Sequence, residues 1–324
     1  MDRMINKVLI IRLSSLGDIV IATSLVEFLY RVGVRIHFAV YDEFAELFEE
    51  DPRIEKVIRI KRDFGGKIDG LRLVRSEKYD LVVDLHRKLY PALLTCLAKT
   101  RKRAACEKRS LERRLAVIFK KKIEEYPLYK LYVEAVKKYF ELEGIPYPKL
   151  LSFKKPNFEL PEEYIVFVPG ASKKTKAWPI DYYIKLGNLL YESLGLPILL
   201  VGKDIMVKSL PQGFLNLQSS TSLRELLYIL KNAKFVVSND TGPAHMTAAV
   251  GTPLFVIFGP TIPEFGFRPA GDGFIKIIEK KLPCRPCSPH GLDRCPLEHW
   301  KCMLEVKPEE VFVEIERYYS RRTH

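Results

Sequence analysis

Short apolar runs alternate with helical patterns through most of this chain. In the first half the runs are KVLIIRL, VRIHFAV, KVIRI and DLVVDL, at residues 7–13, 34–40, 56–60 and 80–85. In the second half they are YIVFVPG, LPILLVG, KFVVSN and PLFVIFG. The runs are rich in β-branched residues and lack strict alternation, which is typical of strands covered on both faces of a parallel sheet. The pattern predicts right-handed βαβ units in an α/β fold.

The alternation forms two groups, joined by a proline-rich stretch with little periodicity at residues 147–164. A chain of 324 residues also exceeds one ordinary hydrophobic core. We predict two doubly wound, Rossmann-like domains, residues 1–155 and 156–310, which face each other across a cleft at the carboxyl ends of their strands. A last helical pattern within residues 307–324 is predicted to pack back on the amino-terminal domain.

The composition is that of a soluble globular protein, with 47% hydrophobic and 29% charged residues. The most apolar stretch, residues 8–30, is interrupted by Arg12, Asp18 and Glu27, so no segment is expected to span a bilayer. We find no secretion signal and expect a cytoplasmic protein. The net charge of +13 favours an anionic partner, whether nucleic acid, an acidic membrane surface or a phosphorylated lipid.

One strand-to-helix turn in the second half has the features of a phosphate site. It contains Asp240, Thr241, Gly242 and His245. A proline follows Gly242 and suits the first turn of a helix, where backbone amides and the helix dipole bind anions. His245 falls in that first turn, and Asp240 either caps the helix or binds a hydroxyl. A well-capped structural helix explains the pattern equally well.

A second strand-to-helix loop, residues 168–179, is rich in lysine. Its small residues, among them Ser172, leave room for a ligand, and its lysines supply charge against a pyrophosphate. Lys173 and Lys174 are typical of a solvated basic loop. Lys176 is different, because the Trp-Pro pair that soon follows should hold the loop in one shape.

The first strand-helix junction, RLSSLGDIV at residues 12–20, is not a dinucleotide-binding fingerprint. Gly17 provides a turn, and Asp18 stands at the start of the helix. Such an aspartate is commonly a plain N-cap. It is alternatively a general base that takes a proton from an acceptor hydroxyl. The loop alone leaves both interpretations open.

Residues 99–122 carry eleven basic residues against Glu107 and Glu112. A solvated helix face mixes the two signs more evenly, so we predict a surface that docks phosphates or acidic sugars. The candidate acceptor-binding residues are Arg101, Lys102, Arg103, Lys108 and Arg109. Nucleic acid is disfavoured as a partner, because aromatic residues do not interleave with these charges and no nucleic-acid-binding module is present.

Four of the six cysteines fall in one short segment, namely Cys284, Cys287, Cys295 and Cys302. The Cys-x-x-Cys pair is similar to half of a zinc site, but the second pair is too widely spaced for a standard zinc ribbon. Two disulfides are the competing interpretation. Free thiols are the third alternative.

Four segments together resemble the heptosyltransferases of lipopolysaccharide core assembly, glycosyltransferase family nine. They are VLIIRLSSLGD, DLVVDLHRKL, VPGASKKTKAWP and FVVSNDTGPAHMTAAVGTPLFVIFGPTIPE, which occur in the family's order and span both halves. The cysteine segment is also similar to one found in a subset of the family. The resemblance implies the two-domain GT-B fold, with an ADP-sugar in the carboxy-terminal domain and the acceptor in the amino-terminal one.

The resemblance also implies roles for individual residues. The family's catalytic aspartate falls on Asp18, its phosphate-contacting lysine on Lys176, and its small hydroxyl position on Ser172. Its Asp-Thr-Gly-x-x-His set falls on Asp240, Thr241, Gly242 and His245. After LPILLVG the family usually shows a glutamate that recognises the ribose, and here Asp204 is the candidate substitute.

The resemblance therefore predicts an inverting, metal-independent transfer of a heptose from ADP-heptose to the acidic inner core of a lipid A precursor. Catalysis is expected to need no cofactor, and a structural zinc ion is one alternative for the cysteines. The enzyme is expected to be cytoplasmic and peripheral on the inner face of the inner membrane. The alternatives are a nucleotide-sugar epimerase of similar fold, a GT-B transferase that uses another nucleotide sugar, and a basic nucleic-acid or membrane-binding protein without activity.

Overall fold

The computed structural model describes residues 4–141, 143–203 and 209–320. The chain divides into two compact units. The first unit consists of Met1–Lys108 and Tyr126–Phe153, and the second of Arg109–Glu125 and Lys154–His324. The division after Phe153 lies close to the predicted boundary. The segment Arg109–Glu125, however, belongs to the second unit, whereas the prediction assigned it to the amino-terminal domain.

The first unit is built on a five-stranded parallel sheet with the order β3-β2-β1-β4-β5. Its strands are β1 (Lys7–Ile11), β2 (Arg35–Tyr41), β3 (Lys56–Ile60), β4 (Lys78–Asp84) and β5 (Lys99–Ala105). The helices are α1 (Leu16–Arg31), α2 (Asp42–Ala45), α3 (Phe64–Ser76), α4 (Leu89–Leu97) and, after α5 (Ser110–Phe119) of the second unit, α6 (Leu128–Lys137).

The second unit is built on a six-stranded parallel sheet with the order β11-β10-β9-β6-β7-β8. Its strands are β6 (Ile165–Val168), β7 (Ile198–Leu200), β8 (Phe214–Asn216), β9 (Val236–Asn239), β10 (Leu254–Phe258) and β11 (Ile275–Glu279). Its other helices are α7 (Ile180–Leu194), α8 (Leu223–Asn232), α9 (Gly242–Ala249), α10 (Lys301–Leu304) and α11 (Pro308–Ser320).

The α/β fold class is confirmed, and each predicted apolar run forms a strand. Every residue of β10 and all but Lys7 of β1 are fully buried, as expected for strands covered on both faces. The sequence prediction missed three strands: β5, β8 and β11. β5 is a basic edge strand that is exposed at alternate residues, a composition that protects sheet edges from pairing with other chains.

The carboxy-terminal helix packs against the second unit, so the prediction that it returns to the amino-terminal domain was wrong. Val311, Ile315 and Tyr318 are buried in the hydrophobic core of the second unit. The ring of Tyr318 lies 5.8 Å from that of Phe255 on β10. The helical spacing of these residues places them on one face, which α7 and the second sheet cover. Within the described residues, no helix is long and apolar enough to cross a membrane.

Both sheets have a point where the strand order reverses. In the first unit it lies between β1 and β4, and in the second between β6 and β9. The connections that leave neighbouring strands diverge there, and open parallel sheets bind ligands in the crevice that this creates at the carboxyl ends of the strands. The loops after these four strands are therefore where each unit's functional residues are expected.

Candidate active site

Asp18 lies in the first turn of α1, directly beyond the carboxyl end of β1. The N-cap of this helix is Ser15, so the interpretation of Asp18 as the N-cap itself was wrong. The Ser15 backbone N–H and hydroxyl donate to Asp18 Oδ2 at 3.3 and 2.8 Å. Asp18 therefore closes the first turn and still keeps its second carboxylate oxygen for other partners.

Arg12 forms an ion pair with Asp18 that the sequence analysis did not anticipate. Its Nη2 lies 2.5 Å from Asp18 Oδ2, and its Nη1 donates to the Leu85 carbonyl after β4 at 2.7 Å. Burial would raise the pKa of Asp18, but the Arg12 charge and the hydrogen bonds from Ser15 and Arg12 outweigh it and lower this pKa. Asp18 is therefore ionised at neutral pH.

His86 connects the two loops at the first unit's reversal point. Its Nδ1 accepts a hydrogen bond from the Leu13 N–H at 3.2 Å, which places the proton of the neutral ring on Nε2. The backbone N–H of His86 donates to Asp84 Oδ1 at 2.8 Å. Burial, together with the positive charges of Arg12 and Lys88, lowers the pKa of His86 to about 4. The signal for His86 was its place in DLVVDLHRKL, just after a buried strand.

We expect this histidine to make the first unit less stable in mild acid. An unfolded histidine binds a proton near its ordinary pKa of 6.5, whereas His86 binds one only near 4, so falling pH favours the unfolded chain. The free energy of unfolding should fall by about 3 kcal/mol in total as the pH drops from 6.5 to about 4. His86→Gln should reduce the difference in urea-unfolding free energy between about pH 7 and about pH 5.

The matched control is His299→Gln, which removes a histidine from the second unit and should leave the first unit's pH dependence unchanged. If His86→Gln and the original protein lose the same unfolding free energy over this range, His86 is not the group responsible.

One of the predicted acceptor-binding residues, Lys108, lies near Arg12 and His86. Its Nζ donates to the Arg87 carbonyl at 2.6 Å, just after β4. Burial lowers the pKa of Lys108, and the positive charges of Arg12 and Arg87 act in the same direction. Lys108 therefore adds positive charge at the carboxyl end of β4, close to the Arg12–Asp18 pair.

The other predicted acceptor-binding residues do not gather there. Arg101 is exposed on β5, and Lys102 lies over the Tyr139 ring with its Nζ 5.7 Å from the centroid. Arg103 donates to carbonyls at the end of α4, including that of Thr95 at 3.0 Å. Arg109 belongs to the second unit, where it pairs with Glu112 at 2.5 Å. The prediction of one continuous docking surface is therefore corrected to dispersed charges, of which Lys108 lies at the carboxyl end of β4.

In the second unit, Lys176 and Asp240 meet at the reversal point. Lys176 ends the short 3-10 turn after β6, and Asp240 directly follows β9. The Lys176 Nζ lies 2.6 Å from Asp240 Oδ2, and the Thr261 hydroxyl donates to the same oxygen at 2.9 Å. The two side chains are only 14% and 5% exposed. The structure thus joins two residues that the sequence singled out in separate motifs.

The neighbouring side chains fix the loop that carries Lys176. The Asn239 amide, at the end of β9, donates to the Pro169 carbonyl at 2.8 Å and accepts from the Trp178 N–H at 3.0 Å. The Trp178 indole is fully buried and donates to the Val306 carbonyl at 2.9 Å. Trp178 therefore holds the loop, as its position after Lys176 led us to expect.

The remaining predicted donor-binding residues surround the start of α9. Thr241 is the N-cap residue, but its hydroxyl bonds the Asn239 carbonyl at 3.3 Å instead of capping the helix. Gly242 begins the helix, and His245 is buried in its first turn. Ser172 is exposed in the loop after β6. Asp204 lies outside the described residues.

The cysteine-rich segment supports the Lys176 loop from the other side. The Thr175 N–H donates to the Leu292 carbonyl at 3.0 Å, and the Leu292 N–H donates to the Thr175 hydroxyl at 2.7 Å. Gly291 has φ +87°, and a Cβ there would come within 2.8 Å of Lys176 Cγ. Only glycine satisfies both the backbone angle and the close approach, so this segment positions the lysine.

Neither a disulfide nor a metal site forms among Cys284, Cys287, Cys295 and Cys302 as the structure arranges them. Across the described part of the chain the cysteines are free, and no group of three or more His, Cys, Asp or Glu residues is placed to hold a metal ion. Burial raises the pKa of Cys302 to about 11 and also raises that of Cys287, so both thiols are protonated at neutral pH. The four thiols are therefore free in this arrangement, and a structural metal ion among them stays a prediction.

Curated proteins of similar sequence are heptosyltransferases. Lipopolysaccharide heptosyltransferase 1 of Escherichia coli K12 is 26% identical over 290 residues, which cover 79% of this chain and 89% of that protein. Lipooligosaccharide heptosyltransferase 2 of Haemophilus influenzae is 29% identical over 273 residues, 71% of this chain and 76% of that protein.

Solved structures of the same kind share the fold. E. coli ADP-heptose lipopolysaccharide heptosyltransferase II matches with a TM-score of 0.75 and 18% identity, over 98% of this chain and 100% of that one. E. coli heptosyltransferase WaaC with ADP matches with a TM-score of 0.70 and 21% identity, over 96% and 99%. The GT-B fold class is confirmed. The sequence profile "Glycosyltransferase family 9 (heptosyltransferase)" matches residues 71–295, so the chain belongs to this family of glycosyltransferases.

Proposed function

We propose that the protein transfers a heptose from ADP-heptose to the acidic inner core of a lipid A precursor in lipopolysaccharide synthesis. The observation that carries this proposal is the Lys176–Asp240 pair at the start of α9, at the reversal point of the second sheet. Family membership and the names of the relatives support it. A WaaC structure with ADP-2-deoxy-2-fluoro heptose, matched at a TM-score of 0.69, supports an ADP-sugar as donor.

The donor diphosphate binds where Lys176 and the amino end of α9 direct positive charge. The helix dipole and the backbone amides at Gly242 favour an anion at this position. Asp240 keeps Lys176 ordered before the donor arrives, and the ammonium group then turns to the diphosphate. Thr241, His245 and Ser172 supply polar contacts around the donor, and Asp204 is proposed for the ribose on the resemblance alone.

Asp18 receives the proton of the acceptor. The acceptor hydroxyl oxygen forms the new bond to the anomeric carbon as the bond from that carbon to the ADP oxygen breaks. The hydroxyl proton passes to Asp18, and the electron pair of the broken bond leaves with ADP. Because Arg12 keeps Asp18 ionised, its carboxylate is a weak base that becomes effective only as bond formation makes the hydroxyl acidic. Attack opposite the leaving group inverts the anomeric configuration.

Lys176 and the helix dipole neutralise the charge that develops on ADP, which is the contribution that usually dominates catalysis of this kind. We therefore propose that transfer requires no metal ion or other cofactor. Lys108 adds charge for phosphates or acidic sugars of the acceptor near Asp18, and Arg101, Lys102, Arg103 and Arg109 are weaker candidates. Since the acceptor is a lipid, the enzyme is proposed to work at the cytoplasmic face of the inner membrane.

The proposal is tested by incubating the protein with ADP-heptose and a lipid A precursor carrying its acidic sugars, in buffer with EDTA. We expect one heptose to be added to the acceptor and one ADP released for each transfer, with inversion detected by NMR. Donor and acceptor are each omitted as controls, and UDP-, GDP- and CMP-sugars are run in parallel.

Three results would contradict the proposal. Isomerisation of the sugar with the donor alone would identify an epimerase. Transfer only from a different nucleotide sugar would replace ADP-heptose as the donor. Salt-sensitive nucleic-acid binding that ADP does not affect, with no turnover of any donor, would favour a binding protein.

A further inference from the structure

The helix α5 (Ser110–Phe119) has its apolar face on the outside. Leu111, Leu115, Ile118 and Phe119 are 68%, 41%, 67% and 71% exposed. At 3.6 residues per turn they lie within an arc of about 100° on one side of the helix. A surface helix of a globular protein normally turns such a stripe to the core. Here the arrangement is reversed.

The opposite side of α5 attaches the helix to the second unit. Ala116 is fully buried, and the Arg113 guanidinium lies 4.4 Å from the centroid of the Phe267 ring. At the end of the helix, Lys120 Nζ donates to the carbonyls of Cys284 and Pro286 at 2.9 and 2.7 Å. These contacts fix the rotation of α5, so its apolar face is held outward.

The charges beside this face are almost all positive. Residues 109–122 contain six basic residues against one acid, Glu112, whose carboxylate is paired with Arg109. Lys121 and Lys122 are exposed just beyond the helix. Large apolar side chains flanked by lysine and arginine match the boundary between the acyl chains and the headgroups of an anionic bilayer. Nucleic acid would leave the apolar stripe without a partner.

We propose that α5 is a membrane-docking helix, which inserts Leu111, Leu115, Ile118 and Phe119 into the surface of an anionic phospholipid bilayer. The exposed lysines at its end contact the headgroups. The proposal deepens the membrane partnership that rests on the proposed function, but it needs neither donor nor acceptor. The helix lies on the membrane without crossing it, because it is short and its other face is bound to the second unit.

The test is sedimentation with vesicles of phosphatidylglycerol and phosphatidylcholine, without ADP-heptose or lipid A. We expect the protein to bind these vesicles and not pure phosphatidylcholine. The triple variant Leu111→Ser/Ile118→Ser/Phe119→Ser should bind about tenfold or more weakly, since it loses most of the apolar area and keeps every charge. The side chains are exposed, so the variant should melt at the same temperature as the original protein.

The matched control is Phe64→Ser/Leu215→Ser/Leu297→Ser, which removes three exposed apolar side chains elsewhere and should bind vesicles normally. Binding of the α5 triple variant equal to that of the original protein would overturn the proposal, as would failure of the original protein to bind anionic vesicles. A stable dimer that the α5 variant separates into monomers, without vesicle binding, would assign the face to a second copy of this chain.

The proposed function is measured separately, as transfer to a water-soluble, deacylated acceptor. The α5 triple variant should retain this transfer in full, because α5 lies outside the loops where the strand order of each sheet reverses. If the original protein binds vesicles but transfers no heptose, the proposed function is contradicted and the proposal of a membrane-docking helix is not.

Discussion

Asp18→Asn should lower kcat/KM for heptose transfer by roughly 10²- to 10⁴-fold, the range typical of general-base catalysis. The amide is nearly the same size, and its oxygen still accepts the hydrogen bonds from Ser15 and Arg12. It carries no charge and does not accept the hydroxyl proton. The loss should therefore appear in turnover, while the affinity for ADP stays nearly unchanged.

The matched control is Asp63→Asn. Asp63 is also an aspartate at the start of a helix in the first unit, where it caps α3 by accepting from the Gly66 N–H at 2.8 Å. It lies outside the loops at the reversal point, so its variant should keep nearly full activity. Full activity in Asp18→Asn would remove Asp18 from the mechanism.

Lys176→Met should lower kcat/KM by roughly 10²- to 10³-fold, comparable to the loss of one electrostatic group that stabilises a transition state. Two effects add. The ammonium group that neutralises the leaving diphosphate is gone, and Asp240 is left as a buried carboxylate whose charge repels the same diphosphate. Initial rates at several ADP-heptose concentrations measure the change.

Lys173→Met is the control for this prediction. Lys173 lies in the same loop, but it pairs with Asp293 at 3.0 Å. This ion pair is exposed, so it contributes little to the stability of the loop. Its variant should change kcat/KM by less than about threefold. Equal losses in the two variants would indicate a general role of loop charge and contradict a specific role of Lys176.

The parallel sheets were predictable because burial on both faces determines the composition of a strand. β1 and β10 are continuous apolar runs for this reason, and the sequence shows them directly. β5 was missed because an edge strand need not be apolar, and its lysines and arginines suggested a docking surface for phosphates or acidic sugars. The unit against which α11 packs could not be predicted from the sequence either. The spacing of Val311, Ile315 and Tyr318 identifies the buried face of the helix but not the unit that covers it.

The candidate site was predictable where a motif follows a strand. Asp18, Lys176 and Asp240 were singled out because each stands at a strand-to-helix junction of unusual composition. Their partners were not, since ion pairs between loops depend on which strands are neighbours in the sheet. Arg12 was noted only as an interruption of an apolar stretch, yet its charge lowers the pKa of Asp18.

The structural role of the cysteine segment was not predicted from the sequence. Spacing suggested a metal site or disulfides, whereas the structure uses Gly291 and Leu292 of this segment to support the loop that carries Lys176. A backbone contact of this kind leaves little trace in the side-chain pattern. The positive φ of Gly291 is the only part that a glycine in the sequence hints at.

Calorimetric titration of ADP into Lys176→Met, Asp240→Asn and the double variant tests most directly whether this pair forms the diphosphate site. We predict that Lys176→Met weakens ADP binding roughly 10- to 100-fold, the size of one lost charge-assisted hydrogen bond. Adding Asp240→Asn should restore part of that loss, because the unpaired carboxylate is removed. ADP binding that is unchanged in all three proteins would show that the nucleotide binds elsewhere and contradict the account.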